Sequence, residues 1–318
     1  IMYSIIQIKI KKGLRKGRKE MKKGMALFLS AALSVAAMTG CGNSGKETKA
    51  AETKAETAKE TTAETTKESG ETAEAASKLT IAASPTPHAE ILNEAKKLMA
   101  EKGIELEIVE FTDYVQPNKV TDAGDVDANY FQHLPYLENF NEEQGTKLVS
   151  AGAIHYEPLG IYPGKTATLE DIKEGAEIAV PNDTTNEARA LMLLEANGII
   201  KLKEDAGFTA TARDIAENPY NVKIVEMQAE QVARAAQDAD LLVLNGNYAL
   251  QAGFNVGTDA LAKEEKDSEA AQTYANIIAV REGDETREDI QALIEVLKSD
   301  DIKSFIETTY EGAVLPAE

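Results

Sequence analysis

Leu79-Thr80-Ile81-Ala82-Ala83 leads into Ser84-Pro85-Thr86-Pro87, then into Ile91, Leu92, Ala95, Leu98 and Met99 at helical spacing, then into Ile104-Glu105-Leu106-Glu107-Ile108-Val109. The first run reads as a strand and the paired prolines as a turn. The spacing that follows predicts a helix with one apolar face, stopped by Gly103. Alternation over 104–109 predicts a second strand. Strand, helix and strand in that order need a crossover, which joins parallel neighbours with a right hand.

The same grammar returns further on. Glu177–Pro181 reads as a strand that enters Asn182-Asp183-Thr184 and a helix to Asn197, closed by Gly198. Thr184 and Glu187 have the spacing of a capping box. Val222–Val225 and Leu241–Leu244 read as strands around a helix at 228–236, the second strand ending at Asn245. Ala275–Val280 is a late strand, followed by helices near 288–298 and 301–309. Roughly 240 residues of such alternation are more than one sheet comfortably organises. The expected fold class is α/β in two lobes, 79–163 with 251–318 and 164–250, with the chain crossing over and returning.

Upstream, Met21-Lys22-Lys23-Gly24 precedes an apolar stretch from Met25 to Met38 and then Thr39-Gly40-Cys41. A basic start, a short apolar core and small residues before the cut are the parts of a secretory signal. The stretch is short for a membrane span, which needs about 20 residues. Cys41, the single cysteine of the chain, stands where a bacterial lipobox places the acylated thiol. Residues 21–40 are thus expected to be a lipoprotein signal and Cys41 the lipid attachment point, on the outer side of the membrane. Residues 1–20, basic and ahead of a good start at Met21, are read as an upstream extension. From Cys41 to Lys78 the chain is nearly all Glu, Lys, Thr, Ala, Ser and Gly. Such a segment cannot bury enough surface to offset its entropy and reads as a disordered tether.

Formal charge is −20; residues 1–40 carry nine of the 34 Lys and Arg and one of the 54 Asp and Glu, so the chain from Cys41 onward is near −28. That balance argues against nucleic acid and against anionic lipid as partners of the folded part. With Cys41 acylated, no thiol remains for disulfides or cysteine-held metal. The three histidines, His88, His133 and His155, show no metal-ligand spacing, although His133 and His155 could converge with carboxylates in space. No Gly-x-Ser-x-Gly elbow and no phosphate-cradling glycine loop is present. The expectation is a protein without cofactor or metal, and not an enzyme.

Three polar-aromatic clusters close predicted strands: Thr112–Asn118, Asp125–Leu137 and Val180–Arg189. With Ile199-Ile200-Lys201-Leu202-Lys203, Glu217-Asn218-Pro219 and Val243-Leu244-Asn245, they resemble the methionine-binding lipoproteins of the NLPA family over essentially all of 79–318. Asp127-Ala128-Asn129, Phe131-Gln132-His133 and Pro135-Tyr136 are the most specific part. The resemblance implies a type II periplasmic-binding-protein-like fold, with methionine or a similar small molecule held in a cleft between lobes. It also implies an ABC importer permease as partner. Thr184 stands where some members have proline.

Asn186 and Arg189 share a helix face one turn into their helix. A helix start supplies N–H groups and a positive dipole end to a ligand carboxylate, and Arg189 a planar fork. A surface arginine paired with Glu or Asp is the other reading of Arg189. As a clamp in an open cleft it would be solvated, and its removal would leave the stability of the empty protein nearly unchanged. Tyr114, Phe131 and Tyr136 read either as an aromatic slot for a thioether or as core. His133 is a ligand hydrogen-bonder or a satisfied structural histidine. Asn245, at a strand's carboxyl end, is a ligand contact or a turn asparagine. His155 and Glu157 are placed near the cleft or hinge, outside the site.

Overall fold

Ser77 opens β1 (Ser77–Ala83), with its N–H on the Gly103 carbonyl at 3.0 Å, so the strand expected from Leu79 takes in Ser77 and Lys78 as well. The computed structural model describes residues 77–265 and 272–317. The upstream extension, the signal segment, Cys41 and the tether up to residue 76 lie outside the described residues. Leu79 and Ile81 are fully buried on β1. Across the proline turn, α1 (Glu90–Glu101) buries Ile91, Leu92, Ala95 and Met99, the face its spacing predicts. β2 (Ile104–Glu110) pairs in parallel with β1 from Ser77 with Ile104 to Ala83 with Glu110.

The chain continues through α2 (Gln116–Ala123), β3 (Ala128–His133), α3 (Leu134–Gln144), β4 (Leu148–Tyr156) and β5 (Gly160–Pro163). Then come β6 (Glu177–Pro181), α4 (Thr184–Ala196), β7 (Lys201–Leu202), β8 (Ile215–Glu217), β9 (Lys223–Met227), α5 (Ala229–Val232) and β10 (Leu241–Leu244). The described remainder holds α6 (Gly246–Gln251), β11 (Ala262–Lys263), β12 (Asn276–Arg281), α7 (Glu288–Leu297), α8 (Asp300–Tyr310) and β13 (Leu315–Pro316).

Two main sheets result. One has the order β13-β4-β12-β3-β1-β2, the other β11-β5-β10-β6-β9, and β7 pairs with β8 apart from them. β12 runs antiparallel to both of its neighbours, while β6, β9 and β10 are mutually parallel. This is the α/β, two-lobed arrangement the alternation implies, but the lobe boundaries move. Gly160–Pro163 pairs with β10 and Ala262–Lys263 pairs with β5, so both belong to the second sheet, not the first. The chain first crosses at 157–159 and returns after Lys263. A two-residue edge strand has no periodicity to read, and four residues beginning with glycine give little more.

The apolar interior is not split between the lobes. One cluster runs from Leu79, Ile91, Leu293 and Ile306 around the first sheet to Tyr162, Ala179, Leu242 and Leu244 on the second. A separate cluster, with Ile161, Ile178, Leu191 and Val243, covers the other face of the second sheet. Successive β10 residues thus feed opposite clusters, as pleating requires.

Gly164 follows β5 where it meets the turn before β10. A Cβ there would stand 2.4 Å from the Ala239 carbonyl oxygen and 3.0 Å from that of Asp240. Backbone cannot swing aside like a side chain, so Gly164→Ala should cost about 1–3 kcal/mol. Urea unfolding should show a lower midpoint at unchanged slope; an unchanged midpoint would contradict the close packing.

Candidate functional site

α3 begins at His133, which caps it: Nδ1 accepts the Tyr136 N–H at 3.2 Å. With Nδ1 an acceptor, the proton sits on Nε2, which faces Asn186 Oδ1 of α4 at 3.1 Å. The same oxygen takes a bond from Asn245 Nδ2 at 2.8 Å. Burial, then the nearby Arg189 charge, push the His133 imidazole down to about 3, so it is a neutral donor at pH 7. His133, Asn186 and Asn245 therefore meet across the cleft.

The start of α4 departs from expectation. Its cap is Asp183, whose carboxylate accepts the Asn186 backbone N–H at 3.0 Å and the Asn186 side-chain amide at 2.9 and 3.1 Å. Thr184 and Glu187 do not form a box. Thr184 Oγ1 donates to Glu143 across the lobes at 3.1 Å, and Glu187 accepts the Ala212 N–H at 3.0 Å. Asp183 has extended backbone and supplies a shorter carboxylate directly at the cap, which leaves Thr184 as the first helical residue. The anion at this helix start is therefore the protein's own, and the dipole is already matched there.

Arg189 is 4 % exposed and far from solvated. Its Nε and Nη2 engage the two Glu264 oxygens at 2.8 and 2.6 Å, and Nη2 also donates to the Glu157 carbonyl at 3.0 Å. The Tyr274 ring lies under the guanidinium, 4.2 Å from Cζ to centroid. Burial works against the Arg189 charge, and Glu264 more than offsets it, raising the pKa; burial likewise opposes the Glu264 charge, and Arg189 holds that carboxyl below its usual value. Only Nη1 is left without a recorded acceptor among the described residues.

The aromatic set is one cluster. Ring centroids lie 5.7 Å apart for Tyr114 with Phe131 and with Tyr136, and 5.9 Å for Phe131 with Tyr136. The Tyr136 hydroxyl donates to the Tyr114 carbonyl at 3.0 Å, and the Tyr114 hydroxyl to Asn247 Oδ1 at 2.6 Å, tying first lobe to second. All seven residues singled out for ligand binding line one cavity: Tyr114, Phe131, His133, Tyr136, Asn186, Arg189 and Asn245. The empty space there, open solvent at the mouth included, is about 320 Å3.

Sequence reasoning missed Gln132, Glu157, Gly246, Asn247 and Asn276, which line the same cavity. Two buried lining atoms have no partner among the described residues, the acceptor Asn245 Oδ1 and the donor Asn247 Nδ2. A buried polar atom without a bond is costly, so both are ready for a polar ligand. Asn247 lies two residues beyond Asn245, and the Asn245-Gly246-Asn247 run was the available signal. Gln132 was legible only as part of a motif; it bonds Asn118 at 3.0 and 2.6 Å in a buried amide network with Asn129. His155 converges not with His133 but with His88 and Glu157, whose donor atoms all lie within 4.8 Å. These three could hold a metal ion, but they also satisfy one another: His155 Nε2 is 2.7 Å from Glu157 Oε1.

A cleft between two α/β lobes, walled by aromatics on one side and amides and a guanidinium on the other, is that of a solute-binding protein. The pattern of the NlpA lipoprotein family matches residues 79–318, and the chain belongs to that family. It is 44% identical over 253 residues to the methionine-binding lipoprotein MetQ of Bacillus subtilis, covering 78% of this chain and 91% of that protein. The crystal structure of a chain from Ruminococcus gnavus described as a lipoprotein is 63% identical, with TM-score 0.76, over 76% of this chain and all (100%) of the other. A nutrient-binding protein of Burkholderia cenocepacia, solved bound to methionine, is 40% identical with TM-score 0.72, over 76% of this chain and 100% of its own.

The paired state of Arg189 reverses the expectation for the empty protein. Arg189→Ala strands a buried Glu264 carboxylate, which typically costs about 3–5 kcal/mol. Denaturant unfolding of ligand-stripped protein should show that loss. A change under about 1 kcal/mol would return Arg189 to the solvated reading.

Proposed function

We propose that this protein captures methionine on the outer side of the membrane and delivers it to an ABC importer, held to the membrane through a lipidated Cys41. The observation that carries the ligand reading is the two-sided cavity. Tyr114, Phe131 and Tyr136 offer ring edges and faces to a polarisable thioether, each such contact contributing about 0.3–1.5 kcal/mol. Arg189 Nη1 and Asn247 Nδ2 offer donors to a carboxylate, and Asn245 Oδ1 offers an acceptor. The likeness to a methionine-binding lipoprotein and to a structure holding methionine supports the same ligand.

Closure would bury the ligand between the lobes, with His133–Asn186, Tyr114–Asn247 and Thr184–Glu143 as the bonds made across the cleft. The permease would then meet a closed surface. Among the described residues no helix is long and apolar enough to cross a membrane.

Calorimetry on ligand-stripped protein should give one site per chain for methionine and no heat with lysine or glutamate. Heat with a methionine-containing dipeptide but none with methionine would move the ligand to peptides. Silence with every amino acid and short peptide would leave a binding-fold surface protein without transport. For the anchor, Cys41→Ser should shift the protein out of the membrane fraction with its fold intact. A variant that fractionates and migrates like the parent would refute lipid attachment.

A further inference from the structure

The cavity holds a carboxylate with no Lys or Arg within ion-pair distance among the described residues. Arg189 is the one Lys or Arg side chain lining it, and both Glu264 oxygens already engage that guanidinium. Glu157 lines the same space from the first crossing between the sheets and is 5 % exposed. Its side chain makes ion-pair-distance contacts only with histidines among the described residues: Oε1 lies 2.7 Å from His155 Nε2 and 3.4 Å from His88 Nε2. Burial pushes these imidazoles down, to about 3 for His155 and about 4 for His88, so at neutral pH they donate hydrogen bonds and bring no charge. Burial pushes the Glu157 carboxyl up; His88, the Arg189 charge and the Asn247 N–H oppose that only in part.

The two histidines are themselves held. The Tyr130 hydroxyl bonds His155 Nδ1, and His88 Nε2 lies 3.1 Å from Asn276 Oδ1. Both approach the same carboxylate oxygen, which fixes the plane of the group and leaves Oε2 on the Gly246 side. A Cβ at position 246 would stand 2.8 Å from that oxygen, so only glycine leaves the carboxylate its place. A buried, oriented carboxyl group without a Lys or Arg partner suits a cation from the ligand, which would also favour its ionised form.

We propose that Glu157 receives the α-ammonium group of the bound amino acid, making a free amino group a condition of binding. This rests on the amino-acid reading of the cavity. Arg189 and Asn247 then face the carboxylate end, and Glu157 with Asn245 Oδ1 the ammonium end. Tyr130 and His155 act as positioning residues that keep Glu157 aimed without neutralising it. The substrate class narrows accordingly. N-acylated amino acids and simple carboxylic acids of the same shape are excluded, because each would set a second anion beside Glu157 with nothing to offset it.

The test compares methionine with 4-methylsulfanylbutanoate, the same molecule without its amino group, by calorimetry on ligand-stripped full-length protein. The parent should prefer methionine strongly. Glu157→Gln should weaken methionine roughly 30-fold or more, the usual consequence of removing one partner of a buried charge pair. The same variant should bind the des-amino acid as well as the parent does, or more tightly, so the preference collapses. Tyr130→Phe should weaken methionine several-fold while leaving the des-amino acid unchanged. The preference is a ratio taken within one preparation, so partial misfolding of either variant cancels from it. Equal weakening of both ligands in Glu157→Gln, or unchanged methionine binding, would overturn the ammonium role while leaving the amino-acid reading standing. A parent that binds methionine and the des-amino acid equally would overturn it too. A parent that binds neither would overturn the amino-acid reading and this inference together.

Discussion

Glu264 is the point at which the cavity's arginine and the crossings between the sheets become one object. It stands directly after β11, where the chain leaves the second sheet, and its two oxygens grip Arg189 from α4. The same carboxylate accepts the Tyr156 hydroxyl at 2.6 Å, just before the first crossing, and the Leu159 N–H at 2.9 Å, at its end. One carboxylate thus holds the outgoing strand connection, the returning one and the arginine of the cleft. A buried pair of this kind contributes little net stability compared with an apolar replacement, but removing one member leaves the other's charge without a partner. What it secures is geometry: Nε and Nη2 of Arg189 are committed to Glu264 and the Glu157 carbonyl, so the crossings fix the guanidinium in place.

The division of labour between lobes follows from their elements. The first lobe sends the end of β3 and the first turn of α3 into the cleft, and with them Phe131, His133 and Tyr136. The second sends α4 and the start of α6, with Asn186, Arg189 and Asn247. β3 is buried along its whole length although it carries Asn129, Gln132 and His133. Asn118 and Thr121 on α2 satisfy the first two with five amide and hydroxyl bonds between 2.6 and 3.0 Å when the Gln132–Asn129 contact is included. The polar motif on that strand is thus mostly structural, and only its final residues reach the ligand space.

The sequence revealed most where single elements are strongly patterned. β6 and β10 have their expected limits because each is a short, mostly apolar run that ends at an Asn. α1 and α7 follow from one clear apolar face. β3 escaped because a strand of Asn, Tyr, Phe, Gln and His shows no apolar alternation; its polar side chains are satisfied by a helix no window of that strand includes. Within the site, His133, Asn186, Arg189 and Asn245 were legible from motif and helix spacing. Glu264 was not, since Ala262-Lys263-Glu264-Glu265-Lys266-Asp267 reads as a solvated charge run. Glu157 was placed near the cleft or hinge but not in the site, because its partner His88 lies far away in sequence and brings Asn276 from farther still.

β12 has a bearing on how the chain reaches this state. It lies between β3 and β4, pairing Asn276 with both His133 and His155, so the middle of the first sheet comes from near the C-terminus. Such pairings raise contact order and slow folding, because the loop must close before the strands reward it. The second sheet draws its strands from a single continuous stretch, β5 to β11, and can form while the first still waits. Until β12 arrives, β3 and β4 each keep a row of open backbone donors and acceptors, the kind of edge that recruits other chains. A chain cut short before residue 276 therefore lacks the keystone of its first sheet rather than a terminal cap, and is left with two sticky margins instead of a smaller native fold.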